Sequence, residues 1–126
     1  MANILASGQE YLKWILQLQN QLGGAIRPID LSESMGYSRP SVSIALKKLE
    51  KNNFITRDEN GYLHLTSEGL AIACNMHERH QVLTNILVKI GVDYEVAKGD
   101  ACKLEHILSE ESYQRLKRCT ILYESR

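Results

Sequence analysis

The sequence lacks a charge excess of either sign: 15 lysines and arginines stand against 15 aspartates and glutamates in 126 residues. Bulk electrostatics therefore give no argument for nucleic-acid binding, and any basic surface must be local. Proline is scarce, and the two present, Pro28 and Pro40, stand beside expected helix starts. Cysteine is also scarce. Cys74, Cys102 and Cys119 form an odd set with no close spacing, which argues against a disulfide framework and against a zinc ribbon. No apolar run has the length of a membrane span, so no membrane partner is expected. The start, Met1-Ala2-Asn3-Ile4-Leu5-Ala6, has neither the basic residues nor the apolar core of a secretory signal, so the cytoplasm is the expected compartment. Internal repeats and low-complexity stretches are missing too.

What is present is a mainly α pattern broken by one hairpin. Leu12, Ile15, Leu16 and Leu22 repeat at helical spacing and predict a first helix over about 9–22, ended by Gly23-Gly24. A short helix follows over 28–35, closed by Gly36. Ser38 is the expected N-cap of a third helix reaching about Asn52, with Val42, Ala45, Leu46 and Leu49 inward. Strand-like runs at 54–57 and 62–65 flank Asp58-Glu59-Asn60-Gly61, where Asn-Gly is a hairpin signal. A long helix is expected over 66–90. A helix capped by Asp93 runs through Leu108, and a last one, capped by Ser109, carries Tyr113, Leu116 and Leu122.

Helix, tight turn, helix and hairpin are the parts of a winged helix-turn-helix, here residues 1–66, with a helical domain at 67–126. In such a unit the second helix of the pair enters the major groove with its N-terminal residues toward the bases. Those residues are Ser38, Arg39, Pro40, Ser41 and Ser43. The planar fork of Arg39 matches guanine edges and phosphate oxygens. From Arg39 to Arg57 the chain carries Arg39, Lys47, Lys48, Lys51 and Arg57 against Glu50 alone. This is the local basic patch that the bulk balance conceals. A solvated lysine-rich face would have the same composition, and Asp58 and Glu59 at the wing tip oppose deep backbone contact there.

In the helical half, Cys102, Glu105 and His106 stand at i, i+3 and i+4, on one helix face. A thiolate, a carboxylate and an imidazole can together ligate a borderline transition metal, with a fourth ligand from another element. The same residues fit a buried cysteine beside an exposed Glu-His pair. They also fit a Cys-His nucleophile pair, but no orienting third group or oxyanion-forming turn accompanies Cys102, so an enzyme is not expected.

Several stretches resemble the diphtheria toxin repressor and manganese transport regulator family of metal-dependent transcription regulators. They are Glu10-Tyr11-Leu12, Ser38-Arg39-Pro40-Ser41-Val42-Ser43, Arg79-His80-Gln81-Val82-Leu83, Ile90-Gly91-Val92-Asp93 and Ala101-Cys102-Lys103-Leu104-Glu105-His106-Ile107-Leu108-Ser109. The likeness covers nearly the whole chain and is to the short, two-domain members. It implies a metal-gated repressor of metal-homeostasis genes that binds a double-stranded DNA operator as a homodimer. It also implies a metal site formed by Glu10, Cys102, Glu105 and His106, and a possible second site at His80. Three positions depart from the pattern. Lys13, Thr84 and Lys98 stand where relatives supply second-site ligands, so that site is expected to be lost. Lys13, Lys98 or both are expected to occupy its place and supply part of its charge, the alternative being that both ammonium groups point to solvent. The Cys102 thiolate favours ferrous iron as the cofactor, with manganese or zinc as alternatives. The lysines keep open a winged-helix regulator with reduced metal dependence.

Overall fold

The computed structural model describes residues 6–124, and side chains as far as Thr120. The Leu122 side chain and the first five residues lie outside that set. The order is α1 (Ala6–Leu22), α2 (Pro28–Met35), α3 (Arg39–Lys51), β1 (Ile55–Arg57), β2 (Leu63–Leu65), α4 (Ser67–Lys89), α5 (Tyr94–Ile107) and α6 (Glu110–Glu124). Packing divides the chain into two compact units between Asn75 and Met76, inside α4, whereas the sequence suggested a division at its head. No helix among the described residues is long and apolar enough to cross a membrane.

The first unit is a winged helix-turn-helix. α1 contributes Tyr11, Leu12, Ile15 and Leu18 to a core that also holds Leu31 of α2, Val42, Leu46 and Leu49 of α3, and Phe54, Ile55 and Leu63 of the hairpin. Each such aliphatic side chain taken out of water contributes about 1.5–3 kcal/mol. Gly36 closes α2 in the left-handed region at φ 72°, and its N–H donates to the Ser32 carbonyl. Ser32 Oγ donates to the Tyr37 carbonyl at 2.6 Å and fixes the turn into α3. A side chain at Gly36 would meet no atom, so the requirement there is conformational. Ser38 caps α3 as expected, accepting from the Ser41 N–H.

The strands are shorter than the sequence suggested, and the backbone shows why. The Phe54 N–H closes α3 by donating to the Leu49 carbonyl. Tyr62 belongs to the loop, its N–H donating to Asp58 Oδ1 and its carbonyl accepting from the Asp58 N–H. The pairs left are Ile55 with Leu65, Thr56 with His64 and Arg57 with Leu63. Ile26 extends the sheet by one contact, its carbonyl accepting from the Leu63 N–H at 2.8 Å.

Thr66 joins wing to helix. Its Oγ1 donates to the Asn53 carbonyl and accepts from the Gly69 N–H, which caps α4. Gly69 is there because the Phe54 carbonyl presses on it, and a Cβ would overlap that oxygen.

In the second unit α5 buries Ala97, Ala101 and Glu105, a row at i, i+4 and i+8. Asp93 caps α5 through the Glu95 N–H, and Ser109 caps α6 through the Ser112 N–H. Tyr113 of α6 is fully buried.

Candidate metal centre and nucleic-acid interface

Glu105 is the centre of the chemistry in the second unit. Its side chain is 0% exposed, and a carboxylate so placed requires compensating partners. It has a histidine at each oxygen. His80 Nδ1 of α4 lies 3.4 Å from Oε2, and His106 Nε2 of α5 lies 3.4 Å from Oε1. The ligand atoms of His80, Cys102 and Glu105 all fall within 4.8 Å of one another. One thiolate, one carboxylate and one imidazole converging from two helices fit a divalent transition metal.

The helical spacing puts Cys102, Glu105 and His106 on one face; the structure gathers Cys102 with Glu105 and sets His106 at Oε1 of Glu105. The spacing could not foresee His80 beside Cys102 and Glu105, because α4 and α5 meet only in the fold. His80, as the remnant of a lost second site, is expected to pack or hydrogen-bond rather than bind metal. The structure sets its ring against Glu105 and close to Cys102. The pair Arg79-His80 within the resemblance was the one available signal.

Glu10 lies on α1, in the first unit. Its Oε2 is 3.5 Å from Lys13 Nζ, and its Oε1 accepts from Trp14 Nε1 at 3.2 Å. The Lys13 side chain is only 4% exposed, so its ammonium is held on the carboxylate in a desolvated place. Lys98 is engaged on its own helix. Its ammonium lies 3.3 Å from Glu95 and 4.9 Å from the Tyr94 ring centre, on a side chain 40% exposed. Its charge is committed to neighbours one turn or less away. Thr84 is buried, with its hydroxyl donating to the His80 carbonyl one turn back.

Arg79 anchors the end of the ligand helix. Nη1 donates to the carbonyls of Glu105 and Leu108 at 3.1 and 2.7 Å, and Nη2 to Glu110 at 2.8 Å. The guanidinium lies 4.8 Å from the centre of the Tyr113 ring. It thus holds carbonyls near the C-terminus of α5, where a cation is favourable, to the head of α6. Below it, Glu78 accepts from both Lys117 Nζ and Tyr113 Oη. Those hydrogen bonds, Lys117 first, hold the Glu78 carboxyl below its ordinary range. Burial, followed by the bond to Glu78, pushes the Tyr113 phenol up.

The nucleic-acid candidates gather on α3 and β1 of the first unit. Ser38, Arg39, Pro40 and Ser41 open α3 on the surface, and Ser43 is half-buried. Lys47, Lys48 and Lys51 are exposed along the same helix. Glu50, the single acid in this stretch, is 3.5 Å from Arg57 Nε, which takes part of the charge of Arg57 from solvent. At the wing tip Asp58 accepts from the N–H groups of Asn60 and Tyr62 and lies 2.9 Å from His64 Nε2. The hydrogen bond with His64 leads in holding the Asp58 carboxyl low. This aspartate therefore organises the wing, a role its charge alone did not disclose.

Both units match described families. Residues 3–67 match "Iron dependent repressor, N-terminal DNA binding domain", and residues 66–120 match "Iron dependent repressor, metal binding and dimerisation domain". The chain belongs to the iron-dependent repressor family. This is the group of the diphtheria toxin repressor and the manganese transport regulator, whose members are transcriptional regulators and not enzymes. Among iron-dependent repressor relatives, the transcriptional regulator MntR of Escherichia coli O157:H7 is 36% identical over 103 residues, 82% of this chain and 66% of that protein. The iron-dependent repressor IdeR of Mycobacterium leprae is 28% identical over 119 residues, 92% of this chain and 50% of that protein. A solved manganese-dependent transcriptional repressor in complex with manganese superposes with a TM-score of 0.79 at 28% identity, covering 88% of this chain and 51% of that one. The chain thus spans between half and two thirds of the length of these relatives.

Proposed function

We propose that the protein is a metal-dependent, DNA-binding transcriptional repressor acting as a homodimer in the cytoplasm, where its operator DNA lies. The observation that carries the reading is the convergence of His80, Cys102 and Glu105 within 4.8 Å in a chain that also bears a winged helix-turn-helix. Cys102, Glu105 and His106 hold the metal, and His80 completes the cluster on its α4 side. Glu10 enters the ligand set on the family resemblance. When bound, the cation supplies the positive charge that allows several anionic donors to share one place. The protein's own part is to fix those donors. α5 presents three of them on one face, burial keeps water from Glu105, and Arg79 holds the end of the helix. In the first unit, Arg39 and the Ser38–Ser43 turn face base edges while Lys47 and Arg57 meet phosphate.

Ferrous iron is the preferred metal. The Cys102 thiolate is softer than the all-oxygen and nitrogen sets that suit manganese, and it also admits zinc. The relatives divide, IdeR being named for iron and one solved neighbour for manganese. Anaerobic titration with cobalt tests the donor set. A thiolate-to-metal charge-transfer band is expected in the parent and absent in Cys102→Ser. A parent without the band contradicts thiolate ligation. One observation favours a second reading, reduced metal dependence: the buried ammonium of Lys13 already gives Glu10 a fixed positive partner at 3.5 Å.

A further inference from the structure

We propose that Ile44 reads a thymine methyl group in the major groove. The inference rests on the assignment of the first unit as a DNA reader and adds a specificity residue to it. α3 buries Val42, Leu46 and Leu49. At helical spacing the opposite side carries Pro40, Ile44, Lys47 and Lys51, at i, i+4, i+7 and i+11. Ile44 sits at the middle of that outward row and is 59% exposed. A single exposed isoleucine is ordinary on a protein surface. This one is placed among lysines, on the helix that a winged unit inserts into the groove, one turn after the exposed Pro40.

The core of the first unit does not call for an isoleucine there, since Ile44 takes no part in it. It has a lower helix propensity than the alanine, lysine or glutamine the site would accept, and most of its surface remains in water. The charge around it fits DNA. Lys47, Lys48 and Lys51 are exposed, and Glu50 is drawn to Arg57. In the major groove the apolar feature of a base edge is the thymine C5 methyl. Ile44 offers no hydrogen bond, so it cannot satisfy the exposed donors and acceptors of guanine, cytosine or adenine. Its β-branched side chain is stiff at χ1 and presents its methyls with little freedom to lose. Ile44 also rims a groove of about 460 Å³ with Tyr11, Tyr37, Ala45 and Lys48. Seating of a protein partner on that groove is the competing use of the same surface.

The test replaces thymine by uracil, which removes the methyl group and leaves the hydrogen-bonding pattern intact. Duplexes retained by the full chain from a random-sequence pool, in the presence of Fe2+ or Mn2+, are resynthesised with uracil at each thymine in turn. In the parent, uracil at one position of each half-site is expected to weaken binding about fourfold, the factor for withdrawing one methyl-sized group from an apolar contact. Ile44→Ala is expected to bind the thymine and uracil duplexes equally. Parent binding that is indifferent to uracil at every position overturns the proposal and favours a protein contact at Ile44. A uracil penalty that persists unchanged in Ile44→Ala overturns it as well. A parent that enriches no duplex from the pool overturns the DNA-reading assignment, and this inference with it.

Discussion

Arg79→Ala is expected to destabilise the chain by about 3–5 kcal/mol, a loss typical of removing one partner from a buried charged network. The size follows from its contacts. The Arg79 side chain is 7% exposed, and its guanidinium serves two carbonyls and one carboxylate and faces the Tyr113 ring. Removing it leaves the Glu105 and Leu108 carbonyls without that donor, at about 1–3 kcal/mol for each polar group left unsatisfied. The ring contact adds about 0.5–2 kcal/mol. The bond to Glu110 adds little, because that carboxylate is 62% exposed and screened. Arg79 Nε is buried with no hydrogen-bond partner, which subtracts from its benefit and places the sum in the middle of the range. Arg79→Lys keeps the charge and loses the fork, so it is expected to fall between parent and alanine. The assay is urea unfolding of the full chain at fixed protein concentration, since the stability of the proposed dimer depends on it. An alanine variant within about 1 kcal/mol of the parent, with unchanged m, would refute the reasoning.

Gly69→Ala is expected to cost about 1–3 kcal/mol, because the new methyl collides with the Phe54 carbonyl. Helix propensity alone predicts a gain, so a raised melting temperature contradicts the packing argument. Lys13→Ala is expected to make DNA binding depend more steeply on metal, since the fixed cation beside Glu10 is gone. An unchanged ratio between metal-loaded and chelated affinity refutes that role. Glu78 is held low by Lys117 and Tyr113, so its contribution is complete above the ordinary carboxylate range and lost as pH falls through its folded value. Stability from this source is therefore flat near neutrality and declines below about pH 4. The pair is more than a third exposed, which limits the contribution to under about 1 kcal/mol. Glu78→Gln should flatten that acid limb in a pH series of unfolding curves, and an unaltered limb removes Glu78 from the account.

The readable parts of the fold are those that local chemistry decides. Ser38 and Pro40 announce α3, and Val42, Leu46 and Leu49 keep helical time through it. Three donors at i, i+3 and i+4 share a face on any helix, so Cys102, Glu105 and His106 were legible before α5 was seen. His80 was not, because its approach to Glu105 depends on α4 meeting α5, which no spacing encodes. The partners of Lys98, Glu95 and Tyr94, lie on its own helix, a choice that its position in the sequence leaves open. The ends of the hairpin also shifted. Phe54 and Tyr62 have strand-forming side chains, but their N–H groups go to Leu49 and Asp58. Ile44 escaped notice because its apolar character gave no reason to look for it on the outward face.

The central claim is that the donors around Glu105 hold a metal that governs DNA binding. Fluorescence anisotropy on an operator-bearing duplex tests it most directly, first in chelator and then with Fe2+, Mn2+ and Zn2+ in turn, for the parent and for Glu105→Gln. The account predicts tightening in the parent, strongest with Fe2+, and an affinity in Glu105→Gln that metal does not change although the variant is folded. Equal parent affinity in chelator and in every metal, or a Glu105→Gln variant that responds as the parent does, would contradict it.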